Sequence, residues 1–293
     1  MTQPSVLARN WRPLVAALVS VCLWSSAFVG IRAATRTISP GSLALGRLLI
    51  GSILLGIPLL RRGLTRPARR ELALLAIAGL LWFGLYNVAL NTAERTVDAG
   101  TAAMVINIAP LLIMALAAVF LRERLTAGLL VGGAVAFAGV IVIALATMSG
   151  SAPLWGVVLC VIATASSAAG VVAQKPVLAR LSALQVTWTC CAIGALSCLL
   201  YAPGLVRDLH AASPVDLAWL MYLGVFPTSV AFTTWAYALA RGTASRLAAM
   251  AYLVPPITIG MSWLILDEVP RAGAVLGGGL CLVGVILARR RPG

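Results

Sequence analysis

Apolar runs of about twenty residues recur along this chain, separated by short polar or basic segments. A helix of roughly that length spans the ~30 Å hydrocarbon core of a bilayer. The pattern predicts ten helical spans: 13–31, 43–60, 72–93, 99–120, 127–147, 154–174, 184–202, 216–239, 244–266 and 272–288. The connections between them are too short to fold a soluble domain. The first run follows Arg9 and Arg12, as a secretory leader would. It outlasts the roughly 7–15 apolar residues of such leaders and ends in IRAATR, without a small-residue cleavage pattern. An uncleaved first helix is expected.

Composition agrees with the pattern. Of 293 residues, 61% are hydrophobic and 10% charged, against roughly 45–50% and about 25% in soluble domains. A soluble enzyme, a secreted disulfide scaffold and a disordered chain are all excluded. The net charge of +14 would point to nucleic acid in a soluble protein. Here the basic residues form short clusters between apolar runs, without interleaved aromatics, so no nucleic-acid partner is expected. Sixteen of the 22 Lys and Arg residues fall on one side of the ten-span topology and five on the other. The positive-inside rule then sets both termini in the cytoplasm. Arg47 lies inside the second span, one turn from its start, and its long side chain is expected to snorkel to the outer surface.

Shifting the chain by 145 residues superimposes Gly79 on Gly224, Pro110 on Pro255 and Glu123 on Glu268. The same shift carries Gly128, Gly132, Gly133 and Gly139 onto Gly273, Gly277, Gly278 and Gly284. Two homologous halves follow, a first five-helix repeat at 1–150 and a second at 151–293. Five is odd, so the second copy enters the membrane from the opposite side. Inverted repeats of this kind build many secondary transporters. The glycines of spans 5 and 10 allow close helix approach in lipid, either within one chain or between two copies. Pro110, Pro227, Pro255 and Pro256 fall within spans and permit kinks.

All eight acidic residues sit at span ends or in loops. No carboxylate is left for the midplane, where proton-coupled pumps keep one, so substrate is expected to meet neutral groups. Asn87 and Asn91 share a face of span 3, as do Trp82 and Tyr86. Asn107 lies in span 4, and Tyr252 is its counterpart 145 residues on. Trp24 and Ser25, with Ser26, form a further cluster in span 1, to which Ser166 and Ser167 correspond. Aromatic walls with a few oriented amides suit a small amphipathic solute, although Asn residues also serve as hydrogen-bonding glue between helices. The candidate substrate-binding residues are therefore Trp24, Ser25, Trp82, Tyr86, Asn87, Asn91, Asn107 and Tyr252. Trp235 and Trp263 either line the same cavity or anchor at lipid interfaces. Glu123 and Glu268 are too shallow for a midplane site and are read as structural. The six cysteines all lie in apolar runs without a CxxC pair, and His210 is the only histidine. No metal site, cofactor, disulfide or enzymatic activity is expected, since HExxH, GxSxG and paired aspartates are missing as well.

Three segments carry a family resemblance: LWSSAFVGIR from Leu23, AGTAAMVINIAPLLIMALAAVFLRERLT from Ala99 and GTASRLAAMAYLVPPITIGMSWLILDEVP from Gly242. With them the chain resembles the ten-helix EamA-type members of the drug/metabolite transporter superfamily, and among these the YddG-type aromatic amino-acid exporters. The resemblance implies an all-α basket of two inverted five-helix repeats in a bacterial inner membrane, with a cavity lined by spans 1, 3, 4, 6, 8 and 9. It implies export of small metabolites, amino acids and aromatic ones foremost, by alternating access. The first-span glutamate of the related four-helix multidrug antiporters is replaced here by VSVCLWSSAFVGI. Efflux of cationic compounds is the rival within transport, and a membrane scaffold the rival outside it. The expected partners are a small-molecule substrate and the lipid bilayer; a monomer is expected, with a homodimer as the alternative.

Overall fold

The computed structural model describes residues 11–97, 105–147, 154–266 and 272–289, and every regular element among them is helical. We number them as spans. The first half contains α1 (Arg12–Ala34), α2 (Pro40–Arg62), α3 (Arg69–Ala93), α4 (Ala109–Phe120) and α5 (Ala127–Thr147). The second contains α6 (Leu154–Val177), α7 (Ala183–Ser197) and α8 (Pro214–Arg241). It continues with α9, in three pieces (Ala244–Met250, Ala251–Leu253, Val254–Leu266), and ends with α10 (Ala272–Arg289). Helices α2, α3, α5, α6 and α8 are each long and apolar enough to cross a membrane, and α7 becomes a sixth with Leu199–Ala211, bent from it by 53°. Large apolar side chains such as Leu60, Leu154 and Phe120 lie on the outside, 87%, 80% and 71% exposed. That outward face suits lipid rather than water.

Loop contacts sort the two ends of the molecule as the basic residues do. At one end Arg180 bonds Glu71 and the Arg66 carbonyl, Thr65 meets Gln185, and Lys175 reaches the Leu239 and Gly242 carbonyls. Glu123 belongs to the same end. It accepts from the Ala244 and Ser245 amides at 2.7 and 3.0 Å, supplying partners for the unpaired N–H groups that open α9. At the other end Arg95 donates to the Thr35 carbonyl at 2.9 Å, and the Ser39 amide donates to Asp208 at 2.9 Å.

The two halves meet along an antiparallel glycine seam. A Cβ on Gly139 would lie 2.6 Å from the Gly277 carbonyl oxygen, and one on Gly277 would lie 2.6 Å from that of Gly139. Toward the opposite end, Gly132 abuts Ala288 and Gly284. Partners on α10 therefore fall in number as those on α5 rise, and the residues trade places under the 145-residue shift. That reciprocity is a two-fold axis within the chain. Cys281 and Ala136, themselves 145 apart, touch across it, with Sγ donating to the carbonyl at 3.4 Å. The glycine pattern thus serves packing inside one chain. No hydrophobic force separates helix from lipid here, so backbone proximity is what holds this seam.

Two further devices obey the same symmetry. α3 widens into a π-helical turn at Gly79–Leu85 and α8 at Gly224–Val230, segments offset by 145 residues at both ends. Side chains bond the carbonyls within these turns: Asn87 donates to Phe83 O at 2.7 Å, and Thr228 and Ser229 donate to Leu223 O and Gly224 O, each at 2.8 Å. Regular helix also begins at Ala109 in α4 and at Val254 in α9, again 145 apart. Pro110 and Pro255 therefore stand in first turns, where no hydrogen bond is lost. Pro110 follows the turn that precedes α4, and Pro255 follows the 3-10 turn inside α9.

Candidate functional site

A cavity of about 120 Å³ lies between the halves. All six helices implied by the resemblance contribute to it, and α2 contributes a seventh wall. From α1 come Trp24, Ala27, Phe28 and Ile31; from α3 come Trp82, Tyr86, Asn87 and Leu90. The segment leading into α4 gives Ile106 and Asn107, followed by Ala109, Pro110 and Ile113. Ser167 and Val171 of α6, Phe232 and Trp235 of α8, and Ala251 and Val254 of α9 complete the second half. Both departures from regular α-helix, the turn before Ala109 and the 3-10 turn Ala251–Leu253, occur on this wall.

One side is aromatic. The Trp24 ring sits 6.0 Å from Trp82, 5.4 Å from Phe232 and 4.9 Å from Trp235, centroid to centroid, in edge-on or tilted arrangements. Such pairs add roughly 0.5–1.5 kcal/mol each beyond their burial. The cluster is seated by small neighbours: Gly170 of α6 leaves no room for a side chain against Trp82. Trp24 Nε1 donates to the Pro227 carbonyl at 3.3 Å, tying the cluster to the π turn of α8. Trp235 lines the cavity, and its buried Nε1 has no protein partner. Trp235 is thereby a cavity residue and not an interface anchor; the Trp263 side chain lies outside the described ones.

Five of the eight residues singled out from the sequence, Trp24, Trp82, Tyr86, Asn87 and Asn107, come together here. Three do not line the cavity. Ser25 is buried against its neighbours, donating to Val21 O at 2.8 Å and Val254 O at 3.2 Å. Asn91 donates to the Pro40 carbonyl at 3.1 Å and so acts as glue between α3 and α2. Tyr252 is fully buried, its hydroxyl unpartnered. One turn of helix separates Asn91 from Asn87, and that turn carries it past the cavity to the α2 junction.

Arg47 overturns its expectation. It does not snorkel: it is 4% exposed, lies seven residues into α2 (roughly 10 Å along the axis), and lines the cavity. Its Nε donates to Thr228 Oγ1 of α8 at 2.9 Å. The site is accordingly not made of neutral groups alone. The α2 register gave no hint of this, because the contact depends on the π turn that brings Thr228 alongside. No carboxylate and no histidine lines the cavity among the described residues, and these hold no cluster that could bind a metal.

Known proteins share this chain's sequence along its length. It is 37% identical to a probable terminal-alkyne amino-acid exporter of Streptantibioticus cattleyicolor, over 94% of this chain and 93% of that one. It is 29% identical to the uncharacterized transporter YdfC of Bacillus subtilis, over 90% and 86% of the two chains. A solved crystal structure superimposes with a TM-score of 0.77 at 22% identity, over 94% of this chain and 96% of that one, and supports the same fold. The EamA-like transporter family matches twice, at residues 11–145 and 154–290, once for each half. With two matches spanning the chain and the described helices arranged as two inverted halves, this is a multi-pass membrane protein of the EamA-like transporter family.

Proposed function

We propose that the chain exports small amphipathic metabolites, amino acids and especially aromatic ones, by alternating access between its halves 1–150 and 151–293. The observation that carries this reading is the cavity itself. An aromatic cluster together with Arg47, Asn87, Asn107 and Tyr86 suits a solute with an apolar side chain and a charged head. The exporter name of the 37%-identical relative supports the amino-acid class. The paired π turns supply symmetric places where each half can rearrange. The α5–α10 seam occupies the glycine faces within one chain, which favours a monomer. Efflux of cationic compounds fits less well, since among the described residues the cavity presents a guanidinium and no carboxylate.

The test is counterflow in proteoliposomes: purified protein, liposomes preloaded with unlabelled L-phenylalanine, and labelled phenylalanine outside. Accumulation of label above that in protein-free liposomes supports the reading. A chain that moves a quaternary ammonium dye but no amino acid would sink it.

A further inference from the structure

We infer that Arg47 is the anchor for a carboxylate on the transported solute, so that a carboxylate, more than an amine, is what the cavity requires. This rests on the export reading for the cargo but on Arg47 alone for the chemistry.

A guanidinium presents five N–H donors in a planar fork. Thr228 takes the one on Nε. The described residues offer no hydrogen-bond partner to the terminal nitrogens, and the only ion pairs among them are Arg180–Glu71 and Arg207–Asp208. Glu94 acts on Arg47 electrostatically, but from beyond the 4 Å of an ion pair. A buried cation held by one neutral hydroxyl is expensive in hydrocarbon, and a chain that keeps one at a cavity wall has a use for an anion there. Carboxylate oxygens match the fork of a guanidinium two to two.

The charge is also one-sided: the position 145 residues after Arg47 is Ala192, so the two-fold symmetry of the backbone is broken at the cation. A solute held by Arg47 then lays its apolar portion against Trp24, Trp82 and Trp235, in a single orientation.

The experiment is competition against labelled L-phenylalanine in counterflow, using 3-phenylpropionate, which has the carboxylate and no amine, and L-phenylalaninamide, which has the amine and no carboxylate. The acid is expected to compete at least about tenfold better than the amide. Arg47→Gln should bring that ratio toward one, and Arg47→Lys should restore it in part. If the wild type treats acid and amide alike, or Arg47→Gln keeps the preference, the anchor is refuted while amino-acid export stands. If the wild type moves no amino acid, the export reading falls and the anchor is judged separately. Tryptophan fluorescence of the detergent-purified protein is then titrated with 3-phenylpropionate and with 3-phenylpropanamide. Stronger quenching by the acid upholds the anchor; equal or no quenching overturns it. The wild-type ratio decides the matter even if an Arg47 variant fails to fold.

Discussion

Arg47 of α2 and Thr228 of α8 are 181 residues apart in sequence and 2.9 Å apart in space, Nε to Oγ1. The bond joins the first half to the second at the cavity wall. The same threonine donates to the Leu223 carbonyl inside the π turn, so a single hydroxyl orients the cavity's cation and supports the wide turn. Thr228→Val should leave the Arg47 Nε–H without its acceptor, at a cost of about 1–3 kcal/mol. Lower thermal stability in detergent and slower counterflow are expected, with Thr228→Ser close to wild type. A valine variant as stable and active as the serine one would show that the bond does little.

Gly170 faces Trp82 with no space between them. Gly170→Ala should displace the indole from its edge-on stack with Trp24 and reduce transport severalfold. Gly279→Ala on α10, where nothing lies within 4 Å, is the matched control and should behave as wild type. Counterflow rates for the two, normalised to folded protein, give the comparison.

Backbone contact along the α5–α10 seam leaves no room for side chains. Gly139→Val places carbon atoms against the Gly277 carbonyl and Cys281 and should destabilise the protein by about 1–3 kcal/mol, the usual cost of overpacking. The readout is a lower melting temperature with an unchanged elution volume. A shift in oligomeric state without a loss of stability would place the seam between chains instead.

Asn91 and Trp235 should separate structure from binding. Asn91→Leu removes the bond to Pro40 O and should lower stability while leaving the KM of the protein that folds near wild type. Trp235→Phe removes an N–H that has no partner in the protein, so it should leave stability intact and weaken substrate binding. The opposite pattern in a melting and transport series would exchange their roles.

Among the described residues, the cavity wall holds no group to carry proton coupling. The described lining holds no acidic residue and no histidine, and histidine is the side chain that ordinarily titrates between about pH 5 and 8. Transport is expected to vary little from about pH 6 to 8. With substrate equal on both sides, a pH gradient should drive no accumulation. Accumulation under those conditions would point to Glu94, which acts on Arg47 and Tyr86 from outside the lining.

Much of the site could be read from residue types and spacing. Trp82, Tyr86 and Asn87 were legible because a helical face holding aromatics and an amide is costly against lipid. Asn91 looked equivalent by the same reasoning, and only the packing of α2 against α3 assigns its amide to Pro40. Arg47 carried the wrong inference: a long cation within reach of a helix end usually leaves the membrane, and nothing near it in sequence shows that α8 will meet it first. The π turns were invisible too, because they alter helical periodicity over a stretch too short for hydrophobic spacing to register.

By itself the sequence determined that the chain is an all-helical, multi-pass membrane protein of two repeated halves. Those properties depend on the length of apolar runs and on self-similarity at a fixed offset, both of which are one-dimensional. Tertiary structure decided which polar groups share a cavity. In lipid each polar side chain takes whatever partner its neighbours offer, so whether it becomes glue or binding site depends on the facing helix.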